Sequence, residues 1–180
     1  MKNLILTAIA SFAAFLCFSG ISPAAGQKEI LQNPDGYPEL QEYRQIFFGN
    51  LRNQEMDWPE KCRKIISEFQ AFIKKHPKSE FTDEAKLRIA EFYELSFQKI
   101  KALPYLNDII KNHPDADYFS LGETFEPGMK TAAWALYYRG LWFGGAQAIE
   151  DWKKILEKYP ESGEPLELAR WELKKRGIFN

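Results

Sequence analysis

The feature that most constrains this chain is a proline that recurs in one setting. Pro77, Pro114 and Pro160 each follow a His or Tyr at the end of a charged, apolar-patterned run, in KKHPKSEF, KNHPDAD and EKYPESGE. An apolar pair precedes each of them, Phe72-Ile73, Ile109-Ile110 and Ile155-Leu156, and one turn earlier stand Phe69, Leu106 and Trp152. Proline cannot continue a helix, and it pushes the residue before it out of the α region. Each proline therefore stops a helix and fixes where the chain turns. The steps between them, 37 and then 46 residues, fall in the range of stacked helical pairs.

The rest of the chain after residue 37 reads as helix, with apolar spacings of three and four throughout and no convincing alternation. Pro38 opens a helix, 38–54, with Leu40, Tyr43, Phe47 and Leu51 on one side. DWPE at 57–60 has the form of a capping box with Pro59 in the first turn, so a helix runs over 58–75. Thr82 is the expected N-cap of the next helix, with Asp83 and Glu84 favouring its dipole. Glu164-Pro165 starts the last helix, and Gly177 ends it behind Lys174, Lys175 and Arg176.

The stretch from Asp83 to Ala116 resembles a tetratricopeptide repeat, a two-helix unit of about 34 residues. Ile89-Ala90 supplies its large-small pair, followed by Tyr93, small Ala102, apolar Leu106 and Ile109, and the closing Pro114. A second unit over 129–162 keeps Ala148, Trp152, Ile155 and Pro160. It reverses the large-small order at Ala135-Leu136 and has Arg139 where the aromatic belongs. The turn style is also similar to repeats in bacterial outer-membrane assembly lipoproteins. The resemblance implies an all-α fold: a right-handed stack of about three antiparallel helix pairs, with 38–54 and 164–176 as caps. It further implies that the first helices line a concave groove. The groove positions would be Glu84, Leu87, Glu91 and Glu94 in one unit, Lys130, Ala133 and Tyr137 in the next, and Glu164, Glu167 and Trp171 in the last helix. Carboxylates mixed with aromatics would suit a peptide with basic and apolar side chains.

Between the units lie twelve extra residues, DYFSLGETFEPG at 117–128. Tyr118, Phe119, Leu121 and Phe125 are expected either to fold back onto the stack as a plug or to form an ordered lip on a binding face. In the helix that follows, Trp134, Tyr137, Tyr138, Leu141 and Trp142 recur at helical spacing, and at least half of them should be core.

The first residues differ from the rest. Lys2, an uncharged apolar stretch and small residues near Ala24 form a secretory signal, so residues 1–24 are expected to be removed, leaving 25–37 as a flexible lead-in to a helical domain over 38–180. An uncleaved anchor is the alternative, since Leu4–Ala25 is just long enough to span a bilayer. Lipidation at Cys17 is disfavoured by Leu16 and Phe15 before it. The location expected is periplasmic or secreted, with Cys62 the lone cysteine of the processed chain and a packed helix residue.

A net charge of −1 with interspersed signs gives no footprint for nucleic acid. GLWFGGA lacks the Lys-Ser/Thr ending of a phosphate cradle, and His76 and His113 repeat at a turn, which argues for structural use. No Ser-His-Asp set stands out, and Glu161 lies in a solvated turn. The chain is therefore expected to be a binding protein without catalytic residues, metal or cofactor. Its partner would be a protein or peptide of the cell envelope, with membrane contact only if the N-terminal segment is kept. The alternatives are a structural subunit of an envelope complex or, less favoured, a cell-wall hydrolase.

Overall fold

The computed structural model describes residues 38–120 and 124–178. The expected signal segment 1–24, the expected lead-in 25–37, and Leu121 and Glu123 of the insert lie outside the described residues. In chain order the elements are α1 (Pro38–Arg44), a π-helical turn (Gln45–Gly49), α2 (Asn50–Arg52), α3 (Trp58–Lys75), α4 (Thr82–Leu95), a 3-10 turn (Lys99–Ala102), α5 (Leu103–Asn112), β1 (Asp117–Ser120), β2 (Thr124–Lys130), α6 (Thr131–Phe143), α7 (Gly145–Lys158) and α8 (Glu164–Lys175).

The three prolines produce one backbone geometry. His76, His113 and Tyr159 take φ/ψ of −124°/62°, −132°/46° and −129°/52°. Each donates its N–H to the carbonyl four residues back, on Phe72, Ile109 and Ile155, at 2.8–2.9 Å. Each then accepts from the residue three ahead, Ser79, Ala116 and Ser162, at 3.1–3.3 Å. The steric exclusion of the α region before proline is enough to set this turn.

Other local signals act as residue chemistry dictates. The Asp57 carboxylate accepts from Glu60 N at 2.8 Å and caps α3. Gly177, at φ +67°, closes α8: its N–H reaches Lys174 O and that of Ile178 reaches Leu173 O, both orphan carbonyls of the last turn. Thr82 is not the N-cap of α4. Phe81 holds that position, and Thr82 sits inside the helix with its hydroxyl donating to His76 O at 2.9 Å, because the proline turn feeds the helix directly. The π-helical turn also alters the face expected for 38–54: Ile46 is buried, whereas Phe47 is half-buried.

Helices pack in chain order, α3 on α4, α4 on α5, α5 on α6, α6 on α7 and α7 on α8; α4 also meets α6, and α6 meets α8. Two apolar cores result. One joins α1, α3 and α4 through Leu40, Tyr43, Phe69, Phe72 and Ile89; the other joins α4 to α8 through Leu87, Leu106, Leu136, Trp152 and Leu173. Since α4 serves both, it is buried around most of its circumference, and the first-turn carboxylates Asp83 and Glu84 go inside with it. Burying a side chain such as Phe69 contributes about 1.5–3 kcal/mol. Cys62 is fully buried in the first core, and burial pushes its thiol up to about 11.

One polar position recurs between the pairs. Tyr93 of α4 meets Tyr105 of α5, ring centroids 6.0 Å apart, and Gln70 of α3 donates to the Tyr105 hydroxyl at 2.8 Å. One unit on, Arg139 replaces the aromatic and grips Asp151 with two bonds of 2.8 and 2.6 Å, while Asn107 accepts from it at 2.6 Å. The odd Arg139 is thus matched by an odd Asp151, which is 1% exposed. Beside them Gly140 permits close approach: a Cβ there would lie 2.7 Å from Trp152 Nε1 and 3.3 Å from Ala148 Cα.

The mostly helical chain is not purely α. The insert forms an antiparallel ribbon, β1 on β2, pairing Asp117 with Lys130, Phe119 with Phe125 and Ser120 with Thr124. It carries an irregularity between Asp117 and Phe119, and such short strands leave too few residues to show alternation.

Candidate functional site

The face expected to bind is carried by α4, α6 and α8, and the ribbon lies against its upstream part. Phe119 N donates to Glu84 Oε1 at 2.7 Å, the Phe119 ring meets Phe81 at 5.5 Å, and the Tyr118 ring meets Trp134 at 5.9 Å. Tyr118 and Phe119 thus fold back onto the helices, as a plug would.

Under the ribbon lies a buried polar knot centred on Arg88, 1% exposed. Its Nη2 donates to the Tyr118 hydroxyl and its Nη1 to Glu91 Oε2, both at 2.7 Å; Nε reaches the Tyr43 hydroxyl at 3.3 Å. The guanidinium also stands 5.9 Å from the Phe47 ring centroid and 5.7 Å from that of Tyr118. One side chain therefore ties α1, α4 and β1, elements separated by 45 and 30 residues along the chain. Glu84 and Glu91 stand one turn either side of it, so carboxylates outnumber the cation. Burial holds the Glu84 carboxyl well above its usual range against the pull of Arg88, and Asp83 and Glu91 add to the rise. Burial likewise raises Asp83, and lifts the Tyr118 hydroxyl to about 12.

The expected groove residues divide. Glu84, Leu87 and Ala133 have no exposed surface and Tyr137 has 8%, so these four are core and not a lining. Ribbon and neighbouring helices close over them, which repeat position alone does not reveal. Glu91 is engaged by Arg88. Lys130 sits at the end of β2 and bonds Asp117 Oδ1 at 2.6 Å and Asp115 O at 2.9 Å. Glu94 is partly exposed. On α8, Glu164 is exposed, Glu167 pairs with Arg170 at 2.8 Å, and Trp171, 56% exposed, lies under the Lys175 ammonium at 4.7 Å.

What stays accessible near α4 and α6 is a strip beyond the knot. Burial and the nearby Glu91 carboxylate hold the Tyr138 hydroxyl well above its usual range. Trp142 stacks on the Tyr138 ring at 4.7 Å and 5°, and both are half-buried. Glu94 stands one turn beyond Glu91, as Trp142 stands one turn beyond Tyr138. The sequence pattern misses Arg88. Its one signal is an arginine between apolar Leu87 and Ile89 with carboxylates at the i−4 and i+3 positions.

Both histidines fasten helix ends: His76 contacts Glu42 at 3.0 Å and Glu39 at 3.3 Å, and His113 Nε2 takes a bond from Lys86 at 2.7 Å. Among the described residues no group of three or more His, Cys, Asp or Glu could hold a metal ion, and no helix is long and apolar enough to cross a membrane. No protein-family model, curated protein or solved structure matches this chain.

Proposed function

We propose that this chain is an exported interaction module, a right-handed stack of tetratricopeptide-like helix pairs that holds a basic, apolar peptide segment of an envelope protein. The stacking reading is supported by the three matching proline turns and by the contacts of α4 with α6 and α6 with α8. The binding reading rests on one observation: the stacked Tyr138–Trp142 pair on α6 is only half-buried, whereas the ribbon covers the upstream part of the face, and on α4 the partly exposed Glu94 lies one turn beyond Glu91. An aromatic pair packed on one side and open on the other receives aliphatic stems, and a carboxylate beside it receives a cationic head. Trp171 and Glu167 extend the same chemistry onto α8.

The test is peptide-array binding by the full chain, compared with Glu94→Lys and Trp142→Ala. Both variants leave the Arg88 knot intact. Retention of basic–aromatic peptides by the parent chain and loss by both variants, at unchanged helical circular dichroism, supports the reading. Equal retention by all three chains removes it, and so does cleavage of purified cell-wall material by the parent chain.

A further inference from the structure

The end of α4 repeats the terminating motif of α8 with one discordant residue. Phe97 N donates to Glu94 O and Gln98 N to Tyr93 O, both at 2.8 Å, as Gly177 and Ile178 do at the end of α8. The position that is Gly177 in one motif is Phe97 in the other, at φ +61° and the sole non-glycine with positive φ among the described residues. A left-handed conformation is disfavoured for a side chain of that size, and glycine normally fills it. Packing does not compensate, because Phe97 is 93% exposed. Strain kept without an internal gain points to a use outside the fold.

Three further observations define that use. Ile100, three residues on in the 3-10 turn and 71% exposed, adds a second projecting apolar side chain, and Leu95 and Leu141 are exposed at 37% and 45%. The loop is anchored to the end of α6 by Lys99 Nζ on Trp142 O at 3.0 Å, so it is held in place. Lys99 and Lys101 alternate with the apolar residues; Lys101 bonds Gln98 and stands 5.9 Å from the Tyr93 ring centroid, and among the described residues no ion pair joins either lysine to a carboxylate. Glu94, one turn back on α4, is the acidic group of this end of the helix.

We propose that the Phe97–Lys101 tip docks on an anionic phospholipid bilayer, with Phe97 and Ile100 entering the interface and Lys99 and Lys101 meeting lipid phosphates. Charge complementarity selects an anionic surface. Two apolar side chains that project from a turn suit a deformable interface, which accepts protruding residues without a preformed socket. This contact does not use the N-terminal segment, and it borders the proposed peptide surface through Phe97 N on Glu94 O and Lys99 Nζ on Trp142 O.

The experiment uses the full chain with Cys17→Ala and a polarity-sensitive fluorophore on Gln98→Cys, Cys62 being fully buried. It is mixed with phosphatidylcholine vesicles and with vesicles containing phosphatidylglycerol. A control label on Lys153→Cys, exposed on α7, reports tethering without insertion. The expected result is a blue shift at position 98 with phosphatidylglycerol vesicles only and none at position 153. Phe97→Ser with Ile100→Ser abolishes the shift, and Lys99→Gln with Lys101→Gln raises the anionic lipid needed for half the shift roughly thirtyfold. No shift at position 98, a shift that survives loss of both apolar residues, or an equal shift on phosphatidylcholine alone overturns the proposal.

Discussion

Replacing Arg88 with Met tests whether the buried knot holds ribbon and helices together. Met retains most of the side-chain volume and the apolar stem, so the perturbation falls on the polar links. Those links run to Glu91, Tyr118 and Tyr43, and all lie in a site where Arg88 is 1% exposed. Removing the guanidinium strands the Glu91 carboxylate beside Glu84 without a cation, and breaking a buried charge pair from one side costs about 3–5 kcal/mol. The Tyr118 and Tyr43 hydroxyls each lose a donor, at about 1 kcal/mol apiece, but these losses belong to one network and do not simply add. The expected total is about 4 kcal/mol, from a domain stability on the order of 5–15 kcal/mol, so the variant still folds. With a urea dependence of about 2 kcal/mol per molar, the unfolding midpoint by far-ultraviolet circular dichroism drops by about 2 M. Adding Glu91→Gln to Arg88→Met removes the stranded charge and returns a substantial part of the loss. A midpoint change below about 0.5 M, or no recovery in the double variant, would refute the assignment of Arg88 as the central tie.

Three further outcomes follow from single sites. Gly140→Ala drives a methyl to 2.7 Å from the Trp152 ring nitrogen, and the overpacking is expected to cost about 1–3 kcal/mol in urea unfolding; an unchanged midpoint means α6 and α7 do not pack that closely. Burial raises the Glu84 carboxyl above its unfolded value of 4.5, so the native state keeps a proton the unfolded chain has released. The contribution of Glu84 is therefore full below pH 4.5 and lost as pH rises through the folded value, so Glu84→Gln should gain on the parent chain as pH rises above 4.5; identical pH slopes for the two contradict this. Phe97→Gly relieves the φ of +61° and is expected to raise stability by about 0.5–1 kcal/mol in thermal unfolding, whereas a clear loss shows that the ring packs on the protein.

The readable parts of this chain were those governed by a residue and its immediate neighbours. Pro77, Pro114 and Pro160 bar the α region at the preceding residue wherever they stand, so their turns coincide to within a few degrees in φ and sixteen in ψ. Asp57 caps α3 and Gly177 ends α8 because those side chains, or the lack of one, act on backbone groups three residues away or fewer. Helix positions and the apolar faces of α3, α5 and α7 follow from the same local rules.

Tertiary structure decided the site. Glu84 reads as a first-turn carboxylate on the groove face, yet it is sealed because β1, 35 residues downstream, crosses over it and donates a backbone N–H. Glu91 reads as a groove residue but is bound to Arg88, and Tyr137 is covered while its neighbour Tyr138 is half-buried and stacked on Trp142. Arg139 breaks the repeat pattern until Asp151 is seen opposite it, twelve residues on. What a helix face meets depends on the path of distant segments. Within the chain, spacing along one helix specifies which side chains share a face, while only the packed structure specifies whether that face is covered by a neighbour or left to a partner.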